Sequence, residues 1–316
     1  MNELERAVTT VVRVCLGVSG GEEVVVICNP ATQALGERLR TESQDVGADA
    51  VLATIEERDS HAAEPPAPVA AAMARADVVL APTVQSLSHT AARKAASDAG
   101  ARIATLPGVT EEMLARVMSA DMEVLRRKGS AIADALTAAS EARITSPGGS
   151  DLRLGLEGRT AIPDAGELTQ RGAFGNLPCG EGFIAPVEGS CEGRLVVDGT
   201  IAGVGIPDAP VDLTVEGGRL TEATGDAGER LMSLLTEHGP EATTVAELGI
   251  GSNEKAALSG NVLEDEKILG TAHVAFGASA AIGGTVQVPV HLDCVVMKPD
   301  VALDGEAIVR GGELLV

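Results

Sequence analysis

The sequence predicts an α/β N-terminal domain with a doubly wound, mostly parallel sheet, followed by a β-rich α+β C-terminal domain that binds metal. Three observations support this. Residues 1–106 alternate continuous apolar runs with helically spaced stretches. Residues 143–220 and 268–315 read as short alternating strands cut by Gly, Pro and Asp turns. A chain of 316 residues also exceeds what one core usually holds.

In chain order, residues 3–18 carry apolar side chains at helical spacing, and Glu22 to Asn29 reads as a buried strand. Pro30 opens a helix to about Val46, and Ala50 to Ile55 is the next strand. A Pro/Ala-rich connection from His61 to Val69 leads to a short helix and the strand Asp77 to Ala81. A helix from about Ser88 to Ala99 precedes the strand Ala101 to Leu106. Thr110 to Ala142 is helical, its second part bridging the two halves, so the expected division is 1–142, a Rossmann-like domain with a bridging helix, and 143–316. One helix, about Ala227 to Glu237, interrupts the second part.

The formal charge is −22, from 24 basic and 46 acidic residues. Such a surface repels a nucleic-acid backbone, so nucleic acid is not an expected partner. Five cysteines without a C-x-x-C pair fit reduced thiols. The acidic start lacks the order of a signal peptide, and no apolar run is long enough for a bilayer, so a cytoplasmic protein without membrane partners is expected. Tyr and Trp are absent, which excludes a catalytic phenol. Neither G-x-G-x-x-G after the first strand nor G-x-x-x-x-G-K-[ST] occurs, so no nucleotide is indicated.

Five residues carry metal-ligating chemistry. His291 and Asp293 stand two apart in Val290-His291-Leu292-Asp293-Cys294, where a strand turns both to one face. His273, Glu247 and Glu181 each lie in or beside glycine-rich sequence that lets strands approach closely. The plain alternative makes His273 a core histidine and the two glutamates ordinary loop acids. A buried acid beside a buried imidazole still needs a counter-charge, which a cation supplies. Five ligands suit two ions bridged by a carboxylate, whereas His291 and Asp293 with one further His or Glu suit a single ferrous ion. The residue types leave both open.

The segments from Asn176 to Pro186, Glu247 to Gly251, and Leu263 through His273 to Asp293 resemble the thermophilic aminopeptidase T family of leucyl-aminopeptidase-like metallopeptidases. The resemblance implies Glu181, Glu247, His273, His291 and Asp293 as ligands of two divalent ions (zinc, cobalt or manganese). It also implies a homodimer and hydrolysis of an N-terminal peptide bond, or of a small amide, by metal-activated water. That family carries a tyrosine shortly after the histidine matching His273, and here position 280 is Ala. The same superfamily includes dihydroxypyridine ring-cleaving dioxygenases, with one ferrous ion, a histidine in place of Glu247 and no acid matching Glu181. Both acids are present here, so a metal-dependent hydrolase is the expected activity. An iron-dependent dioxygenase is the alternative, and a non-catalytic metal-binding protein a second one.

Two further residues are catalytic candidates. Within the acidic run Glu264, Asp265 and Glu266, Glu266 is the candidate general base and the other two are expected to be solvated. His89 lies at the carboxyl end of the parallel sheet, where open α/β folds place ligands. A histidine in this region of the dioxygenases performs acid–base work, which makes His89 a candidate. The competing role is a helix start capped by Ser86 or Ser88.

Overall fold

A computed structural model describes residues 1–316 as two compact units: 1–121 with 166–179, and 122–165 with 180–316. The first is the expected α/β unit. Its sheet has five parallel strands in the spatial order Asp49–Thr54, Glu23–Cys28, Val78–Ala81, Arg102–Thr105, Phe174–Asn176. Val24, Val26, Val78, Leu80, Ile103 and Ala104 are buried, consistent with the continuous apolar runs of strands covered on both faces. Helices Glu3–Thr9, Gln33–Asp45 and Glu111–Val117 pack as one group, and Ala67–Met73 packs with Ala91–Ala99 as another.

The second unit is β-rich and antiparallel, as expected. It holds an eight-stranded sheet and a five-stranded sheet, the latter ordered His291–Val296, Ala272–Gly277, Val245–Gly251, Glu181–Ile184, Ile162–Asp164. Both sheets contribute to one apolar core. No helix is long and apolar enough to cross a membrane.

The units divide elsewhere than at residue 142. Helix Met122–Ala138 belongs to the β-rich unit because it lies tightly on strand Glu181–Ile184. A side chain at Gly182 would put its Cβ 2.7 Å from Ile132 Cγ2, so the glycine sets that close approach. Residues 166–179 return to the α/β unit, where Phe174–Asn176 becomes the fifth parallel strand.

Candidate metal centre

Strand register explains the site. Asp164 pairs with Glu181, Glu181 with Gly251, Gly249 with His273, Glu247 with Ala275, Ala275 with Asp293, and Gly277 with His291. Directly paired residues point to the same face of an antiparallel sheet. One face therefore gathers Asp164, Glu181, Glu247, His273, His291 and Asp293, with Gly249 leaving room for the His273 ring. The alternate residues Ile184, Leu248, Ile250, Val274, Phe276 and Cys294 enter the core.

All five expected ligands meet on that face. His273 Nε2 stands 3.1 Å from Glu181 Oε2 and 3.2 Å from Glu247 Oε1. His291 Nε2 stands 3.5 Å from Glu247 Oε2 and 3.5 Å from Asp293 Oδ1. Glu247 thus turns one oxygen to each imidazole. Glu266 joins His273 and Asp293 in a third group of converging donors.

These separations fit a cation. Bonds of about 2.1 Å to one metal set ligand-to-ligand edges of about 3.0–3.4 Å. His273 Nε2 carries at most one proton yet faces two carboxylate oxygens, and Glu181 Oε2 is left without a hydrogen bond. His291 Nδ1 donates to Ala278 O at 2.7 Å, which turns Nε2 toward the carboxylates of Glu247 and Asp293.

Charge on this face is concentrated and buried. Burial pushes Glu247 up, and it pushes Asp164 to about 7 and Glu266 to about 8. Burial also opposes ionisation of Glu181 and Asp293. The Lys267 and His273 charges outweigh it at Glu181, and the His291 charge holds Asp293 down at about 2. Burial lowers both imidazoles, but Glu181 outweighs it and raises His273 well above its ordinary value. Asp293 likewise raises His291 to about 10.

Sequence reasoning missed two members. Lys267 is fully buried, donates to Glu181 and to Glu266 Oε1 at 2.6 Å, and lies 3.4 Å from Asp164 Oδ2. Asp164 sits in a three-residue strand without a readable pattern. The expectation that two acids of the run 264–266 are solvated is corrected, since all three are buried. Glu264 accepts from Ala257 N, and Asp265 accepts from the backbone of Ser259 and Gly260 and from the Thr200 hydroxyl.

His89 is exposed in the α/β unit, in a turn before helix Ala91–Ala99. The helix is capped by Thr90, whose side chain accepts from Arg93 N, and not by Ser86 or Ser88. Ser88 instead bonds to Thr105 and Asn176.

An open α/β unit and a β-rich unit bearing clustered imidazoles and carboxylates define a protein with a candidate metal centre. The chain belongs to the 2,5-dihydroxypyridine 5,6-dioxygenase (NicX) family, whose model matches residues 3–316. The curated 2,5-dihydroxypyridine 5,6-dioxygenase of Pseudomonas putida KT2440 is 26% identical over 220 residues, 65% of this chain. The match spans 62% of that relative's length. A solved structure of 2,5-dihydroxypyridine dioxygenase from Pseudomonas putida KT2440 superposes with a TM-score of 0.87 at 21% identity, over 99% of this chain and 97% of that one. AmpT from Thermus thermophilus superposes with a TM-score of 0.74 at 20% identity, over 99% of each chain. Both likenesses show the fold.

These findings correct the expected activity. The aminopeptidase T resemblance holds at the level of fold, while the family match and the curated relative are dioxygenases. The reading as a zinc- or cobalt-dependent aminopeptidase hydrolase is therefore overturned. Its physical basis was the count of donors, and donor types that suit a metal do not specify what the metal does.

Proposed function

We propose that this chain is a metal-dependent ring-cleaving dioxygenase acting on a small hydroxylated heteroaromatic ring. A single divalent ion, ferrous iron, would be held by Glu247, His291 and Asp293. The observation that carries the reading is the convergence of Glu247 Oε2, His291 Nε2 and Asp293 Oδ1 in a chain of the dioxygenase family. His291 is the least enclosed of the three, with its side chain 15% exposed.

Ferrous iron, when bound, would supply the one-electron chemistry that lets dioxygen react with an electron-rich ring. The protein's own groups position and neutralise. The Ala278 carbonyl orients His291. His273 holds the far oxygen of Glu247. Glu266, pushed to about 8, is the candidate to hold or release a proton near neutrality. His89 remains a separate acid–base candidate.

Ferrous oxygenases commonly use two imidazoles and one carboxylate, whereas these three residues offer one and two. The harder donor set favours manganese more than the usual set does. A second cation bound by Glu181, Glu247 and His273 is the second reading, favoured by the unbonded Glu181 Oε2.

Anaerobic reconstitution with ferrous iron, followed by oxygen uptake on 2,5-dihydroxypyridine, tests the function. Uptake matched one to one by ring-opened product supports it. Iron-loaded protein that consumes no oxygen across hydroxylated pyridines refutes it. Elemental analysis of protein purified without added metal separates one ion from two, and light scattering tests the homodimer implied by the resemblance.

A further inference from the structure

Five carboxylates, those of Asp164, Glu181, Glu247, Glu266 and Asp293, are buried around the nest, and Lys267 is the single lysine or arginine paired with any of them. Its ammonium group contacts Asp164, Glu181 and Glu266. Glu181 gives one oxygen to Lys267 and the other to His273, which in turn reaches Glu247. Lys267 thus reaches the ligand Glu247 through Glu181 and His273, and lies among acids that would otherwise repel.

We infer that Lys267 is an internal counter-cation and positioning residue: it holds the carboxylate nest assembled without metal and lowers the nest's affinity for divalent ions. The inference rests on the reading of the nest as a cation site. Two opposed effects follow from one charge. Without metal, the ammonium offsets repulsion between desolvated carboxylates, so its removal weakens the fold. With metal, the same positive charge would repel the ion, so its removal tightens binding. A side chain that only fills space does neither, and methionine matches lysine's length without its charge.

The test compares Lys267→Met and the double variant Lys267→Met/Glu181→Gln, which also neutralises the ionised partner of Lys267, with the unaltered chain. Melting is followed in chelator, and Mn(II) binding is followed by calorimetry. In chelator, Lys267→Met is expected to melt about 10 °C lower, and its Mn(II) affinity to rise at least about tenfold. The double variant, which removes one negative charge as well, is expected to return both quantities toward the original values. It also provides folded protein if the single variant fails to fold. Unchanged melting and unchanged affinity in Lys267→Met overturn the inference, as does a double variant no more stable than the single one. An unaltered chain that binds no Mn(II) refutes the cation site itself. In that case the chelator melts still decide whether Lys267 assembles the nest.

Discussion

Gly249 lies directly beneath the His273 ring. The two are register partners on adjacent strands, and a Cβ at 249 would stand 2.0 Å from His273 Nε2. This absent side chain lets the imidazole lie across the sheet toward Glu181 and Glu247.

Gly249→Ala is therefore expected to displace His273 and, with it, Glu247. Stability of the metal-free protein should fall by about 1–3 kcal/mol, the usual cost of overpacking. Affinity for Mn(II) should fall by roughly 10–100-fold, as for other changes to groups that orient a ligand. Calorimetric titration checks this, and unchanged affinity would mean that His273 does not position Glu247.

Ligands and supporting residues should separate by magnitude. His291→Gln and Asp293→Asn are expected to reduce first-ion affinity by more than roughly 100-fold, beyond the range for outer residues. His273→Gln should cost about 10–100-fold, because it acts through Glu247. Equal losses in all three variants would place His273 among the direct ligands and support the second cation.

Asp265 and Glu266 are neighbours with opposite expected behaviour. Asp265 accepts from Ser259, Gly260 and Thr200, so Asp265→Ala strands buried donors and should lower stability by about 3 kcal/mol. Glu266→Gln keeps a hydrogen-bonding side chain beside Lys267, so it should fold and shift the pH profile of turnover. Denaturant melts and pH–rate curves of the two variants check the assignment.

The pH dependence has a definite sign. Asp164 and Glu266, raised to about 7 and 8, contribute stability below the ordinary carboxylate range and lose it as pH rises through those values. His291, raised from 6.5 to about 10, contributes fully below 6.5 and loses its share as pH climbs through 10. Asp293, lowered from 3.8 to about 2, contributes fully above 3.8 and loses its share as pH falls through about 2. Metal-free protein should thus melt at progressively lower temperature from pH 6 to 9. A bound ion needs a neutral imidazole, so binding releases protons and the metal-induced rise in Tm should grow over the same interval. Melting curves with and without Mn(II) that run parallel across this range would contradict the protonation scheme.

Much of the architecture was legible from periodicity. Four of the five parallel strands read as uninterrupted apolar runs, the fifth, Phe174–Asn176, having no such run, and strand 291–296 showed His291 and Asp293 alternating with Leu292 and Cys294, as the sheet faces require. The five-residue nest was legible because donors fell in glycine-rich strands. Lys267 and Asp164 were not, since one was hidden beside an acidic run and the other in too short a strand. The burial of Glu264 and Asp265 depends on contacts with residues 257–260 and Thr200, which no local pattern encodes. The boundary shift to residue 122 follows from close packing at Gly182, equally invisible in sequence.

Diffraction from ferrous-loaded crystals, recorded on either side of the iron absorption edge, decides whether Glu247, His291 and Asp293 hold the ion. An iron peak is expected within bonding distance of Glu247 Oε2, His291 Nε2 and Asp293 Oδ1. An iron peak elsewhere, or none in loaded protein, would contradict that assignment.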